Sequence, residues 1–447
     1  MNDTIAAIST ALGVGAVSII RLSGDEAIEI VDKIFDRDLT KVSSHTINYG
    51  HIVDNGDVID EVLVTVMKSP RTFTREDVVE INCHGGIATT NKVLEMVLLN
   101  GARMAEPGEF TKRAFLNGRI DLIEAENVMN LINSKTESSR KLAISGISGK
   151  VSKMISDLRS KMIDIIANIE VNIDYPEYED ILVVTNDMIR DNISILKCEL
   201  LKILKEAENG KLIKEGIKTL IVGRPNVGKS SVLNRLLEED KAIVTDIEGT
   251  TRDIVEGSVS IDGVLLNIID TAGIRETDNV VEKIGVEKSL SLIDGADLVI
   301  VVLNNNEKLT EQDKYILSKT EGKKRIIYVN KNDLESNIDI DSSDIVYGTT
   351  INENGLDELK ARIRDLFNMD MIEQSDMNFL SSSEQIATIK ESLKIISDIE
   401  SSIEVNTEVD MIEIDIKKVW ELLGTLIGET YDDELIDNLF NKFCLGK

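Results

Sequence analysis

Cysteine is scarce in this chain of 447 residues, and basic residues are outnumbered by acidic ones. The three cysteines, Cys83, Cys198 and Cys444, lie far apart without a Cys-x-x-Cys pair. Their spacing indicates a reducing compartment and excludes a disulfide framework or a cysteine zinc site. Lysine and arginine number 50 against 80 aspartates and glutamates, which gives a formal net charge of -30. That charge opposes general binding to nucleic acids or anionic membranes, so any RNA contact needs a basic partner or a local basic patch.

Long apolar runs and a basic N-terminal region are also missing. The apolar run at 298–303 has the length of a core strand and is far too short to span a membrane. The first residues, Met1–Thr4, lack the basic region of a signal peptide. We therefore expect a cytoplasmic protein without membrane contact. The 42% hydrophobic and 29% charged residues are typical of a globular chain.

The pattern of apolar residues divides the chain into four segments. Residues 1–118 mix strand-like runs with a helical pattern at Ala88–Leu99, as in an α+β domain. The strands expected there are Val17–Leu22, Val62–Met67 and Asp77–Asn82. Long amphipathic helices follow at 119–213, then alternating strands and helices at 214–373, then acidic helices at 374–447. We expect a multidomain α/β protein with a doubly wound α/β domain inserted into a discontinuous helical domain.

The stretch Gly223–Ser230 has the pattern of a phosphate-binding loop. It follows the apolar run Leu220–Val222 and precedes a helical pattern, which is the strand–turn–helix context that such a loop requires. Backbone N–H groups and the helix N-terminus attract phosphate oxygens. Lys229 would reach the β- and γ-phosphates, and the Ser230 hydroxyl would ligate Mg²⁺. The sequence therefore predicts a nucleotide site.

Three further stretches follow in the order typical of GTPases. Gly249–Asp253 can place a threonine hydroxyl on Mg²⁺, and Asp270–Gly273 can hold Mg²⁺ through water at a strand end. Asn330–Asp333 follows another strand, and a carboxylate there accepts from guanine N1–H and the exocyclic amine, a pairing that adenine cannot match. Together the four stretches predict a GTPase.

Two groups that GTPases commonly use are not evident. The position of the water-orienting glutamine of small GTPases is occupied by Ile274. No arginine finger is evident, although Arg224, Arg252 and Arg275 lie close in sequence. Another group must therefore orient the attacking water and supply positive charge.

From Asp3 to its last residue, the chain resembles the MnmE (TrmE) family of tRNA-modification GTPases. The stretches that carry this resemblance outside the GTPase motifs are Arg21–Gly24, Glu76–Glu80, His84–Gly86, Pro107–Gly118 and Cys444–Lys447. The resemblance implies a folate-binding and dimerisation domain at 1–118, a helical domain at 119–213 and 374–447, and a Ras-like P-loop G domain at 214–373.

The resemblance also implies what the protein does. Such proteins are potassium-dependent GTPases that form homodimers and assemble with the FAD protein MnmG into a heterotetramer or larger complex. Together they act on tRNA and add an aminomethyl or carboxymethylaminomethyl group to C5 of the wobble uridine, position 34. The carbon unit comes from a tetrahydrofolate derivative, the 5-formyl or 5,10-methylene form, and GTP hydrolysis drives a conformational change.

The family's nucleotide-site residues carry over by matching motif. K⁺ would be ligated by Asn226, Thr245, Ile247 and Thr250 and would supply the charge that an arginine finger gives elsewhere. Ser230 and Thr251 would bind Mg²⁺, and Glu282 matches the catalytic glutamate that orients water. The residues expected to bind GTP are Asn226, Val227, Gly228, Lys229, Ser230, Ser231, Thr245, Asp246, Ile247, Glu248, Gly249, Thr250, Thr251, Asp270, Thr271, Ala272, Gly273, Asn330, Lys331 and Asp333.

The folate-site residues that match the family are Arg21, Glu80, Arg119 and Lys447. The chain departs from the family at three places: Arg119 replaces a lysine, Ala11–Ala16 replaces Pro-x-Gly-x-Gly, and Thr349–Thr350 replaces the guanine-supporting Ser-Ala step. Two single residues allow more than one interpretation. Cys444 is either a functional thiol or an inert small hydrophobe. His84 is interpreted as structural, because one histidine without a partner defines no catalytic dyad.

Two other functions stay open at this stage. One is a regulatory switch whose GTP state opens and closes a scaffold for MnmG without carrying the carbon unit. The other is a potassium-activated GTPase acting in ribosome assembly, which has no use for the folate residues or the closing Cys-Leu-Gly-Lys. For the tRNA itself, we expect contacts mainly on MnmG and on local basic positions such as Arg103, Lys112 and Arg113.

Overall fold

A computed structural model describes residues 3–174, 186–239, 255–261, 264–269, 292–352, 354–367, 380, 382–429, 433–441, 443 and 446. The chain divides into two compact units. The first comprises Met1–Met129, Ser152–Ile189 and Asp398–Lys447, and the second comprises Asn130–Val151 and Arg190–Ser397. The four segment boundaries expected above stay predictions. Across the described ranges, no helix combines the length and apolar character needed to cross a membrane.

The helices within the described residues fall mostly where the sequence has amphipathic patterns. Their bounds are α1 Ala27–Asp32, α2 Ile87–Leu99, α3 Glu109–Leu116, α4 Leu122–Asn133, α5 Glu137–Ile147, α6 Lys150–Asp174, α7 Asn186–Glu215, α8 Lys229–Glu239, α9 Glu311–Lys319, α10 Asp357–Leu366, α11 Ser383–Glu404, α12 Val409–Ile427 and α13 Asp433–Phe440. On α6 an apolar stripe repeats every three or four residues. Ile155 and Ile169, near its two ends, are both fully buried, as the helical spacing predicts.

A six-stranded sheet forms the core of the first unit. Its strands are β1 Ile5–Ile8, β2 Val17–Ser23, β3 Thr46–Asp54, β4 Asp57–Met67, β5 Val78–His84 and β6 Arg103–Met104. Their order is β3-β4-β5-β2-β1-β6, and all neighbours are antiparallel except β1 and β6. Alternate residues such as Ile20 and Leu22 pack with α1 and α2 on one face. Because strand side chains alternate between faces, Arg21 and Glu80 lie on the other face.

A second six-stranded sheet forms the core of the second unit. Its strands are β7 Ile217–Val222, β8 Val255–Ile261, β9 Val264–Ile269, β10 Leu298–Asn304, β11 Arg325–Asn330 and β12 Ile345–Tyr347. The order is β12-β11-β10-β7-β9-β8, and only the β8–β9 pair is antiparallel. Residues of α8 and α10 pack on one face and Ile316 of α9 packs on the other. This is a doubly wound sheet, in which ligands bind at the carboxyl ends of the parallel strands.

Candidate functional site

The phosphate loop connects the buried strand β7 to α8. β7 ends at Val222 and α8 begins at Lys229, so the loop has the strand–turn–helix arrangement. Asn226 and Gly228 both have left-handed backbones, with φ of 63° and 101°. Such φ angles curl the chain and turn successive N–H groups toward one side, which makes an anion-binding concavity. Asn226 is exposed at the tip of this loop.

Side chains from the end of β11 hold the loop in place. Asn330 donates from Nδ2 to the Val227 carbonyl at 3.0 Å, and Lys331 donates from Nζ to the Asn226 carbonyl at 3.2 Å. Lys229 donates from Nζ to the Arg224 carbonyl at 2.9 Å. Two ammonium groups therefore lie against the loop, where phosphate oxygens are expected.

The end of β11 also carries the group expected to read guanine. Asp333 is exposed, and its Oδ1 accepts from the Thr349 hydroxyl at 2.6 Å. The Asn332 N–H donates to the Gly348 carbonyl at 3.0 Å, so two bonds join this loop to the segment after β12. Thr349 keeps the hydroxyl of the family's serine, and this departure preserves a donor that orients the Asp333 carboxylate.

The expected folate residues Arg21 and Glu80 are direct partners across β2 and β5. The Glu80 carboxylate accepts from Nε of Arg21 at 2.8 Å, and the pair is about one-fifth exposed. The guanidinium lies 5.8 Å from the ring centroid of Phe110 and 3.5 Å from the Gly446 carbonyl. The same Gly446 carbonyl, which belongs to the C-terminal segment, also accepts from the Ser9 hydroxyl at 3.2 Å.

Arg119 lies on a neighbouring aromatic ring. Its guanidinium is 4.8 Å from the ring centroid of Phe73, which packs against the small core cluster that contains Phe110. Planar guanidinium groups stack on aromatic faces better than ammonium groups do. The exchange of lysine for Arg119 therefore suits the aromatic neighbour that this chain provides.

The Pro107–Gly118 stretch is held by a cluster of charged side chains. Arg113 is 1% exposed and contacts Asp3, Glu76 and Glu109, while Arg103 pairs with Asp3 and Glu109. The hydrogen bond from Arg103 holds the pKa of Asp3 below its usual range, although burial opposes this. Burial also tends to raise the pKa of Glu109, but the bond from Arg103 and other donors outweigh it and lower the pKa.

His84 has a carboxylate partner that its sequence position does not reveal. Its Nδ1 lies 2.7 Å from Oδ1 of Asp60, and this bond raises the pKa of His84. The ring borders a groove of about 400 Å³, together with Tyr49, Glu61 and Leu63. Cys83 also lines the groove but is only 2% exposed, and the interpretation of His84 as structural stays a prediction.

Comparison with known proteins identifies the family. A family model described as "MnmE helical domain" matches residues 122–444, and another described as "GTP-binding protein TrmE N-terminus" matches residues 4–119. Two relatives named "tRNA modification GTPase MnmE", from Bacillus mycoides (strain KBAB4) and Geobacillus thermodenitrificans (strain NG80-2), are each 51% identical. Each alignment covers 100% of this chain and 99% of the relative.

The chain belongs to the MnmE (TrmE) family.

Among solved structures, the G domain of the T. maritima FeoB iron transporter is similar to part of this chain. It is 26% identical and covers 34% of this chain and 98% of that chain, with a TM-score of 0.24. At that score, the likeness adds nothing to the family assignment.

The described residues bring together part of each expected site of an MnmE-family protein. Asn226 to Ser231 lie with Asn330, Lys331 and Asp333 at one edge of the second sheet, and Arg21 lies with Glu80 on the first. Arg119 is described above, beside Phe73, and the other expected site residues lie outside the described residues. They are Thr245, Asp246, Ile247, Glu248, Gly249, Thr250, Thr251, Asp270, Thr271, Ala272, Gly273, Glu282, Cys444 and Lys447.

The expected tRNA contacts at Arg103, Lys112 and Arg113 stay a prediction, and all three residues have acidic partners within the first unit. Arg113 is buried, Arg103 is paired with two carboxylates, and Lys112 pairs with Asp437 of α13. Their positive charge is therefore used within the first unit to hold α3, β6 and α13. A sequence pattern counts these charges but does not show their partners, because Asp437 lies 325 positions from Lys112.

Proposed function

We propose that this chain hydrolyses GTP to GDP and phosphate as one component of a tRNA-modification system. The observation that carries the proposal is the pairing of a curled phosphate loop with an exposed Asp333 whose carboxylate Thr349 orients. Both lie at the carboxyl edge of one doubly wound sheet, the place where such sheets bind nucleotides. Family membership and the name of the relatives support the tRNA part of the proposal.

The chemistry of hydrolysis needs charge stabilisation more than covalent participation. Water attacks the γ-phosphorus, the bond to the β–γ bridging oxygen breaks, and the water proton passes to the released phosphate. Lys229 and the N–H groups of the loop would bind the phosphate oxygens on which charge collects. Glu282 is proposed to orient the water, since Ile274 in the usual position has no polar atom.

The donor atoms at the loop suit the two proposed cations. Ser230 offers a hydroxyl in the first turn of α8, and the exposed Asn226 offers an amide oxygen, both hard oxygen donors that Mg²⁺ and K⁺ prefer. Ser230 with Thr251 would hold Mg²⁺, and Asn226 with Thr245, Ile247 and Thr250 would hold K⁺. When bound, these cations neutralise negative charge on the phosphates.

We also propose that Arg21, Glu80, Arg119 and Lys447 hold a tetrahydrofolate derivative. In support, the Arg21–Glu80 pair presents a carboxylate and a guanidinium beside aromatic rings, groups that suit a pterin amine, a ring N–H and a flat ring system. We propose that the chain is a cytoplasmic homodimer that assembles with the FAD protein MnmG. Together they would modify C5 of the wobble uridine. Cys444 is proposed as a functional thiol at the same end of the chain.

Hydrolysis in K⁺ and in Na⁺ tests the nucleotide part. We expect wild type to be faster in K⁺, and Asn226→Ala to lose the difference between the salts while retaining GDP binding. Equal wild-type rates in both salts would contradict the cation assignment. An absence of GTP hydrolysis in either salt would contradict the proposed function itself.

Calorimetry with 5-formyltetrahydrofolate tests the folate part. We expect wild type to bind this ligand at concentrations below a millimolar and Glu80→Gln to bind it more weakly. If wild type bound none at near-millimolar ligand, the carbon-carrier role would be lost and the regulatory switch would remain. Mass spectrometry of the wobble nucleoside, after incubation of tRNA with this chain and the FAD partner, tests the product.

A further inference from the structure

Arg224, the second residue of the phosphate loop, does not point its guanidinium into solvent. Its side chain is 17% exposed, and its Nε lies 3.2 Å from Oδ2 of Asp313. A second guanidinium nitrogen, Nη2, pairs with the Glu307 carboxylate. One arginine therefore joins the loop to Glu307, between β10 and α9, and to Asp313 in the first turn of α9. The two pairs span 83 and 89 positions of sequence.

The two carboxylates are fixed beside the loop by bonds of their own. Asp313 is 3% exposed and accepts from the N–H and hydroxyl of Thr310 at 2.9 and 2.7 Å, which caps the start of α9. Glu307 accepts from Nδ2 of Asn304 at 2.6 Å. β10 pairs directly with β7, so the segment after β10 begins next to the strand that feeds the phosphate loop. Asp313 is therefore fixed beside the loop, whereas Glu307 is half exposed and is held by Asn304 and Arg224.

This arrangement presents an electrostatic problem for an anion site. Two carboxylates fixed next to a phosphate loop would repel a polyphosphate, and one of them is shielded from solvent, where screening is weak. A guanidinium can contact two carboxylates at once through different nitrogens, which a point-like ammonium does less well. The Arg224 carbonyl also accepts from Lys229, so the same residue anchors the lysine expected to meet the phosphates.

We propose that Arg224 is a positioning residue of the nucleotide site: its single positive charge offsets part of the negative charge of Asp313 and Glu307 and anchors the phosphate loop to α9, so that the loop accepts a polyphosphate. The inference rests on the proposed nucleotide site and assigns a role to an arginine outside the expected GTP-binding set. It also accounts for Arg224 without making it an arginine finger, because its guanidinium is already held by carboxylates of its own chain.

The test measures the affinity of a fluorescent GDP analogue and the kcat and KM for GTP. In Arg224→Gln we expect affinity about tenfold lower, because two fixed carboxylates then face the phosphates without a counter-charge. The kcat at saturating GTP stays within about twofold, since the residue does not touch the reacting atoms. Lys314→Gln is the matched control, because it removes a lysine paired with another acid of α9, Glu311, and leaves affinity unchanged.

Two readouts separate this electrostatic role from a merely structural one. Adding Asp313→Asn to Arg224→Gln removes the unpaired charge while keeping an acceptor for Thr310, and we expect it to restore most of the affinity. Raising the salt concentration screens repulsion, so the affinity of Arg224→Gln should move toward that of wild type. The nucleotide affinity of Arg224→Lys should lie between those of wild type and Arg224→Gln.

Three results would overturn the proposal. They are unchanged affinity in Arg224→Gln, no recovery in the double variant, and a defect of Arg224→Gln that salt does not diminish. If Arg224→Gln does not fold, as judged by its circular-dichroism melt, Asp313→Asn alone decides, because removal of one carboxylate should tighten nucleotide binding and unchanged binding contradicts the role. A wild-type protein that binds neither GDP nor GTP would instead contradict the proposed function.

Discussion

Arg21 and Arg224 are both paired with carboxylates, but the two pairings have different consequences. Arg21 pairs with one residue, Glu80, on the first sheet, and its guanidinium also lies near Phe110 and the Gly446 carbonyl. Arg224 is held by two acids from a single segment and has 17% of its side chain exposed. The two arginines are similarly exposed, at 22% and 17%, so the number and place of their acidic partners distinguish them: one carboxylate beside aromatic rings for Arg21, and two carboxylates that tie a loop to a helix for Arg224. The comparison agrees with the proposals that Arg21 contacts a ligand and that Arg224 supports a loop.

The largest expected effect is on the phosphate loop. Lys229→Ala should weaken GDP and GTP binding about a hundredfold, because it removes a charge-assisted contact to the phosphates. Binding of 5-formyltetrahydrofolate should stay unchanged, since Arg21 and Glu80 belong to the other unit. The affinities for GDP and for 5-formyltetrahydrofolate are measured by titration for this variant and for the control Lys314→Ala. Loss of folate binding in Lys229→Ala would show that the two regions are not independent.

The matching change in the first unit is Glu80→Gln, which removes the carboxylate that pairs with Arg21. Glu80→Gln should lower folate affinity about tenfold, because a charged hydrogen-bond acceptor becomes neutral. Nucleotide affinity and kcat should stay at wild-type values. Glu95→Gln, an exposed acid on α2, is the control. If Glu80→Gln altered GTP hydrolysis and spared folate, the assignment of Glu80 would have to be abandoned.

A smaller effect is expected at the guanine end of the nucleotide site. Thr349→Val removes the hydroxyl that donates to Asp333, and we expect GDP affinity to fall about fivefold, the size of one net hydrogen bond. Thr349→Ser keeps the donor and should bind GDP like wild type. Equal affinities of the valine and serine variants would show that the hydroxyl does not orient the carboxylate.

Acidification should affect the charged cluster of the first unit. The folded-state pKa values of Asp3 and Glu109 lie below the ordinary 3.8 and 4.5, so their ion pairs stabilise the fold above those values. This stabilisation is lost as pH falls through the lowered folded-state values. Arg103→Gln should lower the melting temperature at pH 7, and the difference from wild type should narrow below about pH 4. A difference that stays constant from pH 7 to pH 3 would contradict the lowered values.

The smallest effect concerns His84. Its bond to Asp60 raises the pKa above the ordinary 6.5, and Asp60→Asn should bring it back toward that value. The His84 pKa of wild type and of Asp60→Asn is measured by following the NMR signals of the imidazole ring protons as pH changes. A wild-type pKa at or below 6.5 would mean that the bond does not persist in solution.

The nucleotide motifs were predictable because their function is local. Gly223–Ser230 follows β7 and Asn330–Asp333 lies at the end of β11, and both strands are almost fully buried apolar runs. The three strands predicted in the first unit are also present, as β2, β4 and β5. Where apolar spacing is strong and continuous, the pattern alone indicates the element.

The remaining features depend on partners that are distant in sequence. β1 and β6 have four and two residues, too few for a clear period, and β3 contains Gly50, which packs against Phe35 where no Cβ would fit. Arg21 and Glu80 are 59 positions apart, and Arg224 and Glu307 are 83 apart. Only the register of strands and the turn after β10 bring such pairs together, and neither can be read from composition or spacing.

The central claim is that the Asp333 carboxylate selects guanine and so makes this chain a GTPase. It is tested most directly by changing both the base of the nucleotide and the side chain at position 333. The measurement is hydrolysis of GTP and of xanthosine triphosphate by wild type and by Asp333→Asn. We expect wild type to prefer GTP and Asp333→Asn to prefer the xanthine nucleotide, because an amide can donate to the carbonyl that replaces the guanine amine. If Asp333→Asn kept the wild-type preference for GTP, Asp333 would not read the base and the account of the site would be wrong.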